Sequence, residues 1–107
     1  MRRGTTPTIT INVTGETFDN STMYVTIEQS TLQITKTGDD IEVYPTEDGC
    51  TVALFLTQEE TLQFSQGSAR LQIRWITSDG VAQASPIKTI SVDPILLEGV
   101  IEYDNQH

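Results

Sequence analysis

Histidine and cysteine are the side chains best suited to nucleophilic or transition-metal chemistry, and this chain has one of each. His107 is the last residue of the sequence, and Cys50 begins an alternating apolar segment with no histidine placed to activate it. The sequence also lacks a G-x-S-x-G motif, a glycine-rich phosphate loop and a His/Cys cluster with metal-ligand spacing. We therefore predict no catalytic residue, no metal ligand and no cofactor, and expect Cys50 to fill space in the core.

Carboxylates are the remaining candidates for chemistry, because acidic residues occur in four close pairs. Oxygen ligands converging on one point bind Ca²⁺, and two carboxylates facing each other across a cleft perform general acid–base catalysis. The sequence lacks the D-x-[DN]-x-[DN]-G spacing of a calcium loop, and two of the pairs stand where turns are expected. We predict a non-enzymatic protein, with a Ca²⁺ site and an enzyme as open alternatives. The pairs are Glu16 with Asp19, Asp39 with Asp40, Glu47 with Asp48, and Glu59 with Glu60.

Arginines form the other chemical pattern. Arg70, Gln72 and Arg74 alternate with apolar residues, so their side chains share one face of a predicted strand. Ile76 continues that row as an apolar neighbour. By default this face is the solvated side of a sheet, with acids on an adjacent strand as partners. The alternative is a subunit interface, because arginine is enriched at interfaces and pairs bidentately with carboxylates.

The overall charge argues against one class of partner. The chain has 15 acidic and 6 basic residues, a net charge of −9, whereas phosphate backbones bind to basic surfaces. We therefore expect no nucleic acid as partner. No run approaches the roughly 18 apolar residues of a membrane span, so we expect no membrane partner either. A single cysteine cannot form an internal disulfide, which favours folding in a reducing cytoplasm.

Strict alternation of apolar and polar residues over short segments defines the elements that position these side chains. Turn residues such as Gly38-Asp39-Asp40 and Asp79-Gly80 separate the segments at intervals of roughly 8–12 residues, which is typical of antiparallel sandwiches and barrels. We predict an all-β fold, a single immunoglobulin-like antiparallel β-sandwich domain over residues 1–107. Its seven predicted strands are residues 8–13, 22–29, 32–35, 41–43, 50–56, 69–77 and 81–92.

Two local signals refine this fold. The segment TQEE at residues 57–60 matches the S/T-x-x-E capping box, which predicts one short helical turn between the fifth and sixth strands. Pro86 removes a hydrogen-bond donor from the last predicted strand, which predicts an edge position, a bulge or a break there. Alternation also predicts the core, including a lone tryptophan. The predicted core residues are Val25, Ile27, Val52, Leu54, Leu71, Ile73 and Trp75.

Both ends of the chain are predicted to lie outside the sandwich. We expect residues 1–6 to form a flexible arm and residues 94–107 to form a C-terminal tail. The tail is more apolar than a free terminus should be, so it either packs back on its own domain or docks on a partner. Together with Arg70, Arg74 and Ile76, both ends supply the candidate interface residues. These are Arg2, Arg3, Ile95, Leu96, Leu97, Val100 and Ile101.

Four segments carry a resemblance to a known family. They are MRRGTTP at residues 1–7, LTQEETLQF at 56–64, LQIRWITSDG at 71–80 and ILLEGVI at 95–101. Together they resemble a family of short proteins encoded in phages and prophages of gut-type Gram-positive bacteria. The order of a strand, a capped turn, a glycine and an R-x-x-x-x-D-G hairpin, here Arg74 with Asp79-Gly80, is also similar to the N-terminal domain of phage upper baseplate proteins.

The resemblance implies a virion structural protein, a tail or baseplate component that is made in the host bacterial cytoplasm and binds other virion proteins or copies of itself. Multi-domain baseplate proteins continue into a coiled-coil or receptor-binding region, whereas this chain stops at His107, which favours an adaptor or decoration role. The alternative function is a carbohydrate- or cell-surface-binding module. Tyr24, Tyr44 and Phe55 are its candidate exposed aromatic residues.

Overall fold

A computed structural model describes residues 1–16, 18 and 21–102 of the chain. In this part of the chain there are eight strands, one 3₁₀ turn and one short α-helix. The strands are β1 (Thr8–Thr14), β2 (Thr22–Gln29), β3 (Leu32–Thr37), β4 (Ile41–Pro45), β5 (Gly49–Phe55), β6 (Gly67–Ile76), β7 (Ala82–Ala84) and β8 (Lys88–Val92). The 3₁₀ turn is Gly38–Asp40, and the helix is α1 (Gln58–Leu62).

The strands form two antiparallel sheets. One sheet has the order β1-β5-β4, and the other has the order β3-β2-β6, with β7 and β8 both pairing with β6. Three hairpins, β2–β3, β4–β5 and β6–β7, stay within a sheet, whereas the chain crosses between sheets after β1, β3 and β5. In the lettering of an immunoglobulin sandwich, β1, β5 and β4 correspond to strands B, E and D of one sheet. In the other sheet, β3, β2 and β6 correspond to C′, C and F, and β7 with β8 takes the position of G. The predicted all-β sandwich is confirmed.

The core lies between the inner faces of the two sheets. All seven predicted core residues are buried, from 0% exposure at Val25 to 8% at Trp75. Two phenylalanines outside the predicted strands also belong to this core, because Phe18 and Phe64 are 7% and 1% exposed. The Phe18 ring meets the Trp75 indole edge to face, with 4.9 Å between the ring centroids, a geometry that aromatic pairs favour.

The last predicted strand is split in two, because Pro86 has no N–H to give to the ladder. β7 ends at Ala84, and β8 begins at Lys88. Ser85 bridges the gap: its N–H donates to the carbonyl of Ile73 (2.8 Å), and its hydroxyl accepts the N–H of Ile73 (3.0 Å). The Ser85 hydroxyl thus takes the place of a backbone acceptor in the ladder. Of the three possibilities predicted from Pro86, the break in the strand is confirmed.

The predicted capping box starts the helix α1. The N–H of Glu60 donates to the hydroxyl of Thr57 (3.2 Å), and the N–H of Thr57 donates to the Glu60 carboxylate (2.8 Å). Glu60 also forms an ion pair with Lys36 of β3. The next residue, Thr61, is fully buried, and its hydroxyl donates to the carbonyl of Thr5 (2.9 Å). The helical turn therefore joins β3 and the N-terminal segment.

Trp75 carries a buried polar atom without a partner in the described part of the chain, because its indole Nε1–H finds no acceptor to which it could donate. We expect Trp75→Ala to lower the free energy of unfolding by about 3–5 kcal/mol, since it leaves a large cavity. Trp75→Phe should cost only about 1–2 kcal/mol, because the smaller cavity is offset by removal of the unpaired N–H. Urea denaturation followed by far-UV circular dichroism measures both, and equal losses would contradict this account.

Candidate functional site

Residues 1–3 are bonded along the end of β8, where the sequence predicted a flexible arm. The N–H of Asp93 donates to the carbonyl of Met1 (2.7 Å), and the N–H of Arg3 donates to the carbonyl of Asp93 (3.1 Å). A parallel bridge pairs Arg2 with Asp93. These bonds join sequence positions about ninety residues apart, so alternation within a short segment could not reveal them.

The side chain of Arg3 joins three separate parts of the chain. Its guanidinium donates to the carbonyls of Leu62 (2.9 Å) and Phe64 (2.5 Å), at the C-terminal end of α1, and to the carboxylate of Glu98 (2.8 Å). Carbonyls at a helix end have no partner within the helix, so a cation there is favourable. The hydrogen bond from Arg3 holds the pKa of Glu98 below its usual value.

Both N-terminal candidate interface residues therefore bond within the chain. The guanidinium of Arg3 is occupied by Leu62, Phe64 and Glu98, and the guanidinium of Arg2 donates to the carbonyl of Pro94 (2.6 Å). Arg2 and Arg3, which the sequence offered as interface candidates, thus both bond to the segment that follows β8.

The segment at residues 95–101, which we call the apolar tail, folds back on the domain at three points. Ile95 is half-buried, and its Cδ1 lies close against Gly4. Glu98 binds Arg3 as described above. Ile101 exchanges two hydrogen bonds with the side-chain amide of Gln58: the amide donates to the Ile101 carbonyl (3.0 Å) and accepts the Ile101 N–H (2.9 Å).

Between these anchors the apolar tail presents its remaining side chains to solvent. Leu96 is fully exposed, and Leu97 is 72% exposed. Val100 and the side chain of Ile101 are 46% and 61% exposed. The segment therefore packs back on its own domain at Ile95, Glu98 and Ile101, which is one of the two alternatives left open by the sequence, while most of its large apolar side chains stay exposed.

The arginine row on the outer face of β6 divides into two parts. Arg70 lies opposite Glu28 of β2 and forms an ion pair with it, and Glu28 also accepts a hydrogen bond from Gln33 (3.1 Å). These hydrogen bonds lower the pKa of Glu28, and the bond from Arg70 has the largest effect. Arg74 lies opposite Tyr24, and no ion pair to it occurs among residues 1–16, 18 and 21–102. The default interpretation, a solvated face with an acidic partner, therefore describes Arg70.

Arg74 borders a shallow cleft of about 410 Å³ on this outer face. Its neighbours Tyr24 and Ile76 are 43% and 42% exposed, so the cleft combines an aromatic ring, an aliphatic side chain and a guanidinium that has no ion pair to a described residue. Such a surface can bind a flat apolar group that carries an acceptor. The residues lining the cleft are Tyr24, Thr26, Thr35, Arg74, Trp75, Ile76 and Ala82.

The three candidate aromatic residues for carbohydrate binding are exposed but do not form one platform. Tyr24 lies in β2, whereas Tyr44 and Phe55 lie in β4 and β5 of the other sheet. Tyr44 is opposite Thr51, and Phe55 is four residues further along β5, a distance of about 13 Å at 3.3 Å per residue. The Tyr44 hydroxyl donates to Glu42, whose carboxylate raises the pKa of the phenol.

Groups suited to metal or thiol chemistry do not converge in the described part of the chain. No cluster of three or more His, Cys, Asp or Glu residues occurs there. Cys50 is 1% exposed, and burial raises the pKa of its thiol. His107 and Asp19 lie outside the described residues. Among the described helices, none has the length and apolar character needed to span a membrane.

Comparison with known proteins adds no relative. No protein-family model, no curated protein and no solved structure matches this chain. The arrangement of strands and the contacts of the apolar tail are therefore the observations on which a function has to be proposed.

The Gln58 amide gives a direct test of how the apolar tail is held. We expect Gln58→Ala to speed hydrogen–deuterium exchange at the Ile101 amide, because this amide then loses its acceptor. Gln63→Ala, just beyond the same short helix, is the matched control, since the Gln63 side chain bonds to the nearby carbonyl of Glu59. Equal exchange at Ile101 in both variants would mean that Gln58 does not hold the tail.

Proposed function

We propose that this chain is a non-enzymatic structural protein of a phage or prophage virion, an adaptor or decoration component of the tail or baseplate that acts through protein–protein contacts. The observation that carries the proposal is the apolar tail. Leu96 and Leu97 stand in solvent between Pro94, whose carbonyl accepts a hydrogen bond from Arg2, and the later anchors at Glu98 and Ile101. The family resemblance of the sequence supplies the virion as the context.

The anchoring of the apolar tail favours binding. A segment that is ordered only on association loses conformational entropy at that step, which weakens the complex. Here the bonds of Glu98 to Arg3 and of Ile101 to Gln58 have already ordered the backbone. Burial of the exposed leucines on a partner would therefore gain the hydrophobic free energy of their surface at a smaller entropic cost.

The charge of the apolar tail supports the same role. A chain with a net charge of −9 repels other acidic subunits over much of its surface. The segment ILLEGVI contains one acid, Glu98, and that carboxylate is paired with Arg3. The tail can therefore approach a neighbouring subunit without bringing an unpaired negative charge into the contact.

Incorporation into virions tests this proposal. We expect the protein to co-purify with particles of the phage that encodes it, and the double variant Leu96→Ser, Leu97→Ser to be lost from them by about tenfold or more, since two exposed apolar anchors are removed. Quantitative mass spectrometry of gradient-purified particles measures the loss.

Ile87→Ser is the matched control for the tail variant. Ile87 is 53% exposed and lies between β7 and β8, so the substitution makes the same chemical change away from the apolar tail. The control should be incorporated as well as the wild type. Absence of the wild-type protein from the particles would overturn the virion role, and equal incorporation of both variants would overturn the role of the tail.

A carbohydrate-binding module is the second candidate function, favoured by the exposed ring of Tyr24 beside the cleft at Arg74. Sugar faces stack on exposed aromatic rings, and the nearby hydroxyls of Thr26 and Thr35, which bond to each other (3.0 Å), line the same cleft. In this case a glycan array should give binding that Tyr24→Ala abolishes and that Tyr44→Ala, on the other sheet, leaves unchanged. No binding by the wild type would remove this candidate.

A further inference from the structure

β1 is an edge strand with an open side. It pairs with β5 on one side and ends the three-stranded sheet on the other. In an immunoglobulin sandwich, strand A pairs with this outer side of the corresponding strand. Unpaired N–H and C=O groups along such an edge are a template for another strand, and proteins usually block them with charges, prolines or short edge strands.

The other edge strands of the described structure have such protection. β3 carries Lys36, and β4 carries Glu42 and ends at Pro45. On the remaining edge, β7 has three residues and β8 carries Lys88. β1, with the sequence TITINVT, has seven residues, no charge and no proline. Its β-branched residues also favour the extended conformation that strand pairing requires.

Backbone bonds beyond both ends of β1 show which residues face the open side. The N–H of Leu56 donates to the carbonyl of Pro7 (3.2 Å), and the N–H of Gly15 donates to the carbonyl of Asp48 (2.6 Å). Between them the register of β1 with β5 is continuous. Because alternate residues of an antiparallel strand bond to the same neighbour, the odd-numbered residues of β1 bond to β5.

The even-numbered residues of β1 therefore direct their N–H and C=O groups away from β5. Beyond the strand ladder, no backbone partner for them occurs among residues 1–16, 18 and 21–102. Their side chains are exposed, whereas Ile9, Ile11 and Val13 point inward and are half-buried. The four residues with outward backbone groups are Thr8, Thr10, Asn12 and Thr14.

We propose that this edge binds a second copy of the chain by antiparallel pairing of β1 with β1 across a two-fold axis at Ile11. This register places Thr10 opposite Asn12 of the other copy, so that the outward backbone groups meet each other. It also places Ile9 opposite Val13 on the inner face. The two three-stranded sheets become one sheet of six strands, with apolar side chains continuous across the join.

The uncharged and self-complementary sequence of β1 favours a second copy as the occupant. Two chains of net charge −9 repel each other, so self-association requires a contact surface without acids. The sequence TITINVT supplies an uncharged surface. Residues at equal distances before and after its centre, Ile11, are of the same type, apolar or polar. A two-fold interface needs this self-complementarity, since the same residues contribute from both sides. The contact is separate from the apolar tail of the proposed function.

A proline at position 10 tests the pairing without disturbing the ladder to β5. Thr10→Pro removes an N–H that points to the open edge, a place where strands tolerate proline. We expect the wild type to show a concentration-dependent dimer in sedimentation velocity, and Thr10→Pro to raise the dissociation constant by about tenfold to a hundredfold. Thr10→Val, which keeps the N–H and the shape, is the matched control and should dimerise like the wild type.

A cysteine at the axis tests the register. In a Cys50→Ala background, Ile11→Cys should form a disulfide-linked dimer on mild oxidation, because residues facing each other in a non-hydrogen-bonded pair have Cα atoms about 4.5 Å apart. Val13→Cys, on the same face, should not link to its copy, because the proposed register places the two cysteines about 14 Å apart.

These outcomes decide the inference independently of the virion role. A monomer at every concentration, a dimer indifferent to Thr10→Pro, or equal linking of both cysteine variants would each overturn it. The serine variants of Leu96 and Leu97 should leave this dimer intact, since they lie outside β1. Loss of virion incorporation with an intact dimer is therefore the result expected for these variants. Loss of the dimer in them would contradict the assignment of self-association to β1, whereas unchanged incorporation would overturn only the role of the tail.

Discussion

The pairing of β2 with β6 is the contact on which the rest of the structure depends. Its register sets Val25 against Ile73 and Ile27 against Leu71, and all four side chains are at most 2% exposed. A shift by one residue would turn this apolar set to solvent and the arginine row inward, so the core fixes the register. Once β6 is placed, it offers its other edge to β7 and β8.

The short helix α1 organises the end of the sandwich at which the chain termini meet. Its capping box starts the helix, Thr61 binds the N-terminal segment, and the last carbonyls of the helix bind Arg3. Arg3 then holds Glu98, so helix, N-terminus and apolar tail form one connected set of bonds. Each of these bonds is exposed or half-buried and individually weak, but together they fix where Leu96 and Leu97 stand.

Acidic subunits can contact each other most readily where their charge is neutralised or missing, and the described part of the chain offers two such surfaces. The apolar tail has its one acid paired with Arg3, and β1 has no charge at all. They lie on different elements, one following β8 and the other at the open edge of the smaller sheet. A small domain with two separate contact surfaces can link neighbours in an assembly, which is the role we propose for it.

By itself the sequence determined the sandwich, the seven core residues and the capping box, because each of these follows from residue types at spacings of two or three along the chain. The tertiary structure decided the roles of Arg2 and Arg3, which were predicted to be a free arm and prove to be bonded to residues some sixty to ninety positions away. It also decided which edge of which sheet is open. Contacts between distant segments depend on how the sheets pack, and no local pattern encodes that.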